Sequence, residues 1–185
     1  MSGKVAWFTG LSGAGKTTIA RRTFEILEER GKRVLSLDGD VVRATANQHL
    51  GFSPEDIREN NRLIAGLCRE SLPEYDVILV PIISPFKDSR AAARVLLGND
   101  FTEVYVHVSL EEAIRRDPKG LYQKALDGSL PGFIGVAADI PYEPPDTAEI
   151  TLDTENEDVE VCAQRLVNFL LAEPGRPNRS GWPDS

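Results

Sequence analysis

The chain has 185 residues, 41 % hydrophobic and 27 % charged, proportions that suit one soluble domain around a single core. A net charge of −8 excludes the broad basic field that general binding to nucleic acid or a membrane surface requires, although a few local cations could still hold a nucleotide. The N-terminus lacks a basic region followed by an apolar run, and no stretch nears the ~20 apolar residues of a membrane span, so a cytoplasmic protein is expected.

Residues 5–9 form a short apolar run ahead of a glycine-rich turn, the pattern of a strand entering a loop. Over residues 16–30, Ile19, Ala20, Phe24 and Leu27 recur at helical spacing, and Gly31 supplies a stop. Residues 34–37 read as a second strand ending at Asp38-Gly39-Asp40. Residues 55–72 predict a helix, with Pro54 just ahead of it where a first-turn proline is tolerated. Residues 77–83 are almost entirely apolar, which predicts a strand buried on both faces. A helix over 89–97 and a strand over 104–108 follow. Two short helices are predicted over 111–116 and 119–126, interrupted by Pro118.

Residues 128–147 are dense in glycine and proline and carry no period. A segment of that length without structure of its own fits a lid or a binding loop. A last strand over 149–152 and an amphipathic helix over 159–172 close the pattern. Residues 173–185, Trp182 included, read as a flexible tail. Cys68 and Cys162 form no CxxC pair and read as buried apolar residues, and His49 and His107 are isolated and structural. Glu111 and Glu112, like residues 155–158, read as solvated faces or charges at a helix start. Strands alternating with helices imply a parallel sheet covered on both faces, with no repeat and no second domain.

Gly10-Leu11-Ser12-Gly13-Ala14-Gly15-Lys16-Thr17 fits the Walker A pattern, and Thr18 continues into the helix. Glycines let the backbone turn tightly and aim its N–H groups at phosphate oxygens. Lys16 adds a charge for the outer phosphates, and the Thr17 hydroxyl can ligate Mg2+. The following helix presents its positive end to the same place. The reading is an ATP-binding phosphotransferase. No Asn/Thr-Lys-x-Asp guanine motif is present, and the chain is short for a motor ATPase. A small-molecule kinase with a water-excluding lid fits best.

Asp38 and Asp40 stand at the carboxyl end of the second strand, the edge that faces the ligand crevice in an open α/β sheet. A carboxylate there can assist with the metal or accept the proton of an attacking hydroxyl, while Asp-Gly is equally common in plain turns.

Taken together, GLSGAGKTT (10–18), LDGD with Arg43, LGFSPED with Glu59-Asn60, ISPF (83–86), RDPKGLY with Lys124, and GF followed by PYEPP (132–145) resemble the adenylylsulfate kinase family. The resemblance runs from Lys4 to about Leu171. It implies an α/β fold, a P-loop NTPase-type three-layer sandwich. Its mainly parallel five-stranded sheet would carry helices on both faces and a lid segment at about 117–146, within a single domain over residues 1–172. It implies transfer from ATP to the 3′-hydroxyl of adenylyl sulfate (APS), and a homodimer.

By the same resemblance Lys16, Asp38 and Asp40 are catalytic, with Asp40 near the acceptor hydroxyl. Residues 10–18 hold ATP, and Thr17 holds the metal. Asp40, Arg43, Phe52, Asn60, Ile83, Ser84, Lys119, Gly132 and Phe133 form the acceptor site. Phe52 and Phe133 fall where the family stacks adenine between two rings, an arrangement worth roughly 1–3 kcal/mol per base.

Four departures cluster on the acceptor side. Val41 stands where the family has Asn, Ile57 where it has a substrate-contacting Arg, and Ile82 where it has Phe. The lid is about two residues longer than usual. Arg58, about 100° further round the helix, cannot take the place of the missing cation. Another nucleotide-linked acceptor and a non-catalytic nucleotide-binding module stay open as alternatives.

Overall fold

The computed structural model describes residues 3–39, 42, 48–130, 132–138 and 140–172. Asp40, Val41, Arg43 and the tail at 173–185 lie outside the described residues. In chain order the elements are β1 (Lys4–Thr9), α1 (Lys16–Glu29), β2 (Val34–Ser36), α2 (Pro54–Ser71), β3 (Val77–Val80), α3 (Lys87–Leu97), β4 (Phe101–His107), α4 (Leu110–Arg116), α5 (Leu121–Leu126), β5 (Ile150–Asp153) and α6 (Val159–Leu171).

The five strands make one sheet in the order β2-β3-β1-β4-β5, parallel throughout. The pleat turns alternate residues to opposite faces. Ala6 and Phe8 of β1 therefore join a core with Ile19 and Leu27 of α1 and Leu166 and Val167 of α6. Val5 and Trp7 join a second core with Ile64 and Cys68 of α2 and Ala93 and Leu97 of α3. The result is the expected three-layer sandwich.

Local chemistry sets the helix starts. Ser53, Ser109 and Asp158 cap α2, α4 and α6 by accepting the N–H of Asp56, Glu112 and Val161. α1 begins without such a cap. Its first residue follows Gly15 at φ 95°, and its positive end faces the glycine-rich loop.

Several predicted boundaries shift, and three of the shifts have a physical cause in the structure. The strand expected over 77–83 stops at Val80, because Pro81 has no N–H to continue a ladder. β4 starts three residues earlier than the apolar run, and the polar Glu103 inside it is buried against Arg90. The helix expected from 119 begins at Leu121, after Gly120 at φ 63°, so Lys119 lies in the preceding turn. Among the described residues of 128–147 there is no helix or strand, as expected for a lid.

The chain leaves β1 toward β2 and leaves β3 toward β4, on opposite sides of the sheet. That reversal opens a crevice above the strands' carboxyl ends.

Candidate active site

The phosphate loop joins β1 to α1 at that crevice. A Cβ on Gly10 would lie 2.4 Å from the Val106 carbonyl oxygen of β4, so the loop can leave the sheet there only as glycine. Gly13 and Gly15 take φ values of 77° and 95°, which turn the backbone inward. The buried Lys16 folds back over the loop, its Nζ donating to the carbonyls of Gly10 at 2.8 Å and Leu11 at 2.7 Å. The Thr17 hydroxyl donates to Asp38 Oδ2 at 3.3 Å, which brings together two hard oxygen donors from the loop and the end of β2. Oxygen donors of this kind suit Mg2+.

A cavity of about 440 Å³ runs from this loop to the acceptor side, within the range of small-ligand sites. Ser12, Gly13, Gly15, Lys16, Thr17, Thr18 and Asp38 line its phosphate end. Phe52, Asn60, Ile83, Ser84, Lys119, Gly132 and Phe133 line the rest, so every predicted acceptor residue that is described faces one space. Phe52 is 61 % exposed, whereas Phe133 packs edge-on against Tyr122 with ring centroids 5.0 Å apart. Gly10, Leu11 and Ala14 belong to the loop but do not line the cavity.

Ile57, which replaces the expected arginine, is buried beside Phe86 and Ile140 and forms part of the cavity wall. Arg58 is engaged elsewhere, over the Phe86 ring at 4.3 Å and paired with Asp88 at 3.0 Å. Ile82 fills the space beside Gly39, whose Cβ would come within 2.7 Å of the Ile82 Cγ2.

The DPKGLY segment ties residues 117–123 to the glycine-rich loop. Asp117, at φ 23°, accepts the N–H groups of Leu121, Tyr122 and Gln123 at 2.8, 3.1 and 3.0 Å. Desolvation works to raise the Asp117 carboxyl, and these three donors still carry it below its ordinary value. The turn delivers Tyr122, whose hydroxyl donates to the Ser12 carbonyl at 3.0 Å. Further along the chain, Gly135 sits against Leu11, where a Cβ would approach within 2.9 Å.

Ser84 is the most constrained residue of the acceptor side. It takes φ 44°, a left-handed conformation unusual for a residue with a side chain, and is 2 % exposed. Its carbonyl accepts from Arg90 Nη1 at 2.7 Å and Thr9 Oγ1 at 3.0 Å. Its hydroxyl oxygen accepts from Trp7 Nε1 and Asn61 Nδ2, both at 3.0 Å. Thr9 Oγ1 also lies 3.0 Å from the Ile83 carbonyl and 3.1 Å from the Tyr142 hydroxyl. Carbonyls only accept, so the Thr9 proton goes to them and Tyr142 is the donor to Thr9. Burial pushes the Tyr142 phenol well above its ordinary range, which keeps that donor protonated. Arg90 also reaches the Glu143 carbonyl at 2.7 Å, joining the PYEPP segment to the same network.

The residues missed by pattern are Thr9, Asn61, Arg90 and Tyr142. Thr9 and Arg90 sit among apolar neighbours or on a helix face that reads as ordinary. Tyr142 lay inside a recognised motif without a role.

Two other readings are settled by geometry. Glu112 pairs with Arg115 and Arg116, and its hydrogen bond to Arg115, then that to Arg116, brings its carboxyl down to about 2. His107, although isolated in sequence, meets Asp153 and Glu155 at the carboxyl ends of β4 and β5, with potential ligand atoms within 4.8 Å of one another. Those carboxylates accept from Asn156, the Glu155 N–H and Ser109. No helix among the described residues is long and apolar enough to cross a membrane.

Comparison with known proteins agrees with this geometry. The sequence model of the family described as adenylylsulphate kinase matches residues 2–153. The adenylyl-sulfate kinase of Staphylococcus epidermidis is 44 % identical over 167 residues, spanning 90 % of this chain and 83 % of the relative. That of Clostridium kluyveri is 45 % identical over 169 residues, with 91 % and 84 % covered. The structure of the Mycobacterium tuberculosis APS kinase CysC in complex with AMPPNP and APS superposes with a TM-score of 0.88 at 37 % identity, over 92 % of this chain and 99 % of that one. In sequence, in sheet order and in the loop that opens α1, the chain belongs to the adenylylsulphate kinase family.

Proposed function

We propose that this protein is an ATP-dependent kinase that phosphorylates the 3′-hydroxyl of adenylyl sulfate to give 3′-phosphoadenylyl sulfate. The observation that carries the reading is the shared cavity. The phosphate loop with Lys16, Thr17 and Asp38 forms one end, and Phe52, Asn60, Ser84 and Phe133 form the other. Catalysis of phosphoryl transfer rests on positioning and charge stabilisation, and such a cavity supplies both.

In this reading the N–H groups at the start of α1 and Lys16 hold the ATP phosphates. To do so, Lys16 exchanges its bonds to the Gly10 and Leu11 carbonyls for phosphate oxygens. Thr17, with Asp38 beside it, would hold Mg2+, which neutralises charge on the transferring phosphates. Asp40 positions or deprotonates the acceptor hydroxyl, and Arg43 and Lys119 hold the anionic end of the acceptor. Phe52 and Phe133 stack the acceptor adenine, with Ile83 and Gly132 completing its pocket. The lid at about 117–146 excludes water. The single domain over 1–172, a cytoplasmic location and a homodimer belong to the same reading. The dimer is testable by sedimentation.

A coupled assay of ADP release across APS concentrations tests the function. APS-dependent turnover is expected, lost in Lys16→Ala and Asp40→Ala. A folded protein that neither binds APS nor is stimulated by it refutes the acceptor. Ile57 puts an apolar wall where the family carries a cation. A panel of nucleotide-linked acceptors compared by kcat/KM therefore belongs in the same experiment, and a better acceptor than APS there would reassign the substrate.

A further inference from the structure

Residue 61 breaks the apolar stripe of α2. Ile57, Asn61, Ile64 and Cys68 follow one another at helical spacing on the buried face, and all but Asn61 are apolar. Asn61 is itself only 4 % exposed and lines the cavity next to Ile57 and Asn60. A hydrocarbon would suit both the helix and its surroundings, so the amide needs a reason to be there.

The hydrogen bonds supply one. Trp7 Nε1 can only donate, and Asn61 Nδ2 can only donate, and both point at Ser84 Oγ from 3.0 Å. A serine hydroxyl has two acceptor sites and one proton. With both acceptor sites taken, Ser84 is left solely as a donor, and its proton finds no acceptor among the described residues although Ser84 lines the cavity. The amide oxygen of Asn61 likewise has no partner among the described residues. The cavity is thus lined by one enforced donor and one unused acceptor, next to a wall where Ile57 offers no charge.

We infer that Asn61 is a positioning and specificity residue of the acceptor site, fixing the Ser84 hydroxyl as a donor to an anionic oxygen of the bound adenylyl sulfate. Its own amide oxygen is offered to a hydroxyl or amino hydrogen of the same nucleotide. The inference rests on the proposed kinase reading, and it assigns to Asn61 a part in holding the acceptor and none in holding ATP.

Steady-state kinetics of the full-length protein, with APS and ATP varied separately, test it on wild type, Asn61→Leu, Ser84→Ala and the double variant. Asn61→Leu is expected to raise KM for APS about tenfold, the loss of roughly one hydrogen bond to a charged group, with KM for ATP changed less than about twofold. On the Ser84→Ala background the same change should add less than about twofold, because the residue it acts through is gone. Asn61→Asp, which keeps the shape but can only accept from Ser84, should weaken APS more than Asn61→Leu does, and it replaces leucine in the cycle if the leucine variant fails to fold. Equal rises in both KM values, a full effect on the Ser84→Ala background, or no effect overturns the inference while wild-type turnover of APS stands. A wild-type protein that neither binds nor turns over APS overturns the proposed function and this inference with it.

Discussion

Replacing Arg90 with methionine removes the cation at the centre of the acceptor-side network while keeping a side chain of similar length. In the native structure Arg90 Nε donates to Glu103 Oε1 at 2.6 Å, with side-chain exposures of only 3 % and 9 %. Its two remaining donor groups reach the carbonyls of Ser84 and Glu143, each at 2.7 Å. Without the guanidinium, Glu103 is left buried with Arg94, 3.2 Å away, as its one cationic partner among the described residues. Breaking a buried pair by removing one partner costs about 3–5 kcal/mol. At roughly 2–4 °C per kcal/mol for a protein of this size, Arg90→Met should lower Tm by about 6–20 °C, toward the smaller figure because Arg94 remains.

A second substitution separates charge burial from positioning. Glu103→Met on top of Arg90→Met removes the orphaned carboxylate, and thermal unfolding followed by circular dichroism should recover more than half of the lost Tm. Activity should not recover with it. The Ser84 carbonyl, in a backbone conformation that needs holding at φ 44°, still lacks its charged donor. KM for APS is therefore expected to stay raised in the double variant. If the double variant is as unstable as Arg90→Met, the uncompensated carboxylate is not the cause of the loss. If its KM for APS is that of wild type, Arg90 does not hold Ser84 in place.

Tyr122→Phe deletes the 3.0 Å bond to the Ser12 carbonyl but keeps the ring that meets Phe133. It should cost about 1 kcal/mol in urea unfolding and raise KM for ATP severalfold, and an unchanged KM would mean the phosphate loop holds its shape without that bond. The Asp117 carboxyl lies below its ordinary value of 3.8 in the folded protein. The stabilisation it gives is thus fully present above about pH 4 and lost as pH falls through the folded value. Tm measured from pH 7 to pH 3 should fall less steeply in Asp117→Asn than in wild type, and parallel curves would refute the assignment. Burial pushes the Cys68 thiol up to about 12 and, with help from Glu157, the Cys162 thiol to about 11. Neither should react with a chromogenic disulfide reagent at pH 8 in the native state, whereas both should react in denaturant; fast native labelling would contradict their burial.

Local pattern carried much of this protein. The run at residues 5–9, the glycines of the phosphate loop and the helical spacing after Lys16 each depend on near neighbours alone, and each was legible. So was the start of α2, where Pro54 occupies the first turn. Errors at element ends came from features whose effect is not local. The strand expected over 104–108 missed Glu103, whose burial depends on Arg90 thirteen residues away, and Lys119 looked helical because the turn is set by Asp117 and Gly120.

From its sequence alone this chain could be assigned to ATP-dependent phosphoryl transfer, since a loop built by closely spaced glycines and one lysine needs no distant help to be recognised. The same sequence proposed a set of acceptor residues by resemblance, but it could not say how they are held. Ser84 is fixed by Trp7 and Thr9 from β1, Asn61 from α2 and Arg90 from α3, partners six to seventy-seven positions away. Hydrogen bonds between residues so far apart exist only once the sheet has set its strands in register and closed both helical layers over them. The tertiary structure, not the pattern, therefore decided that Ile57 is a wall, that Arg58 is occupied elsewhere, and that the hydroxyl of Ser84 can only give its proton away.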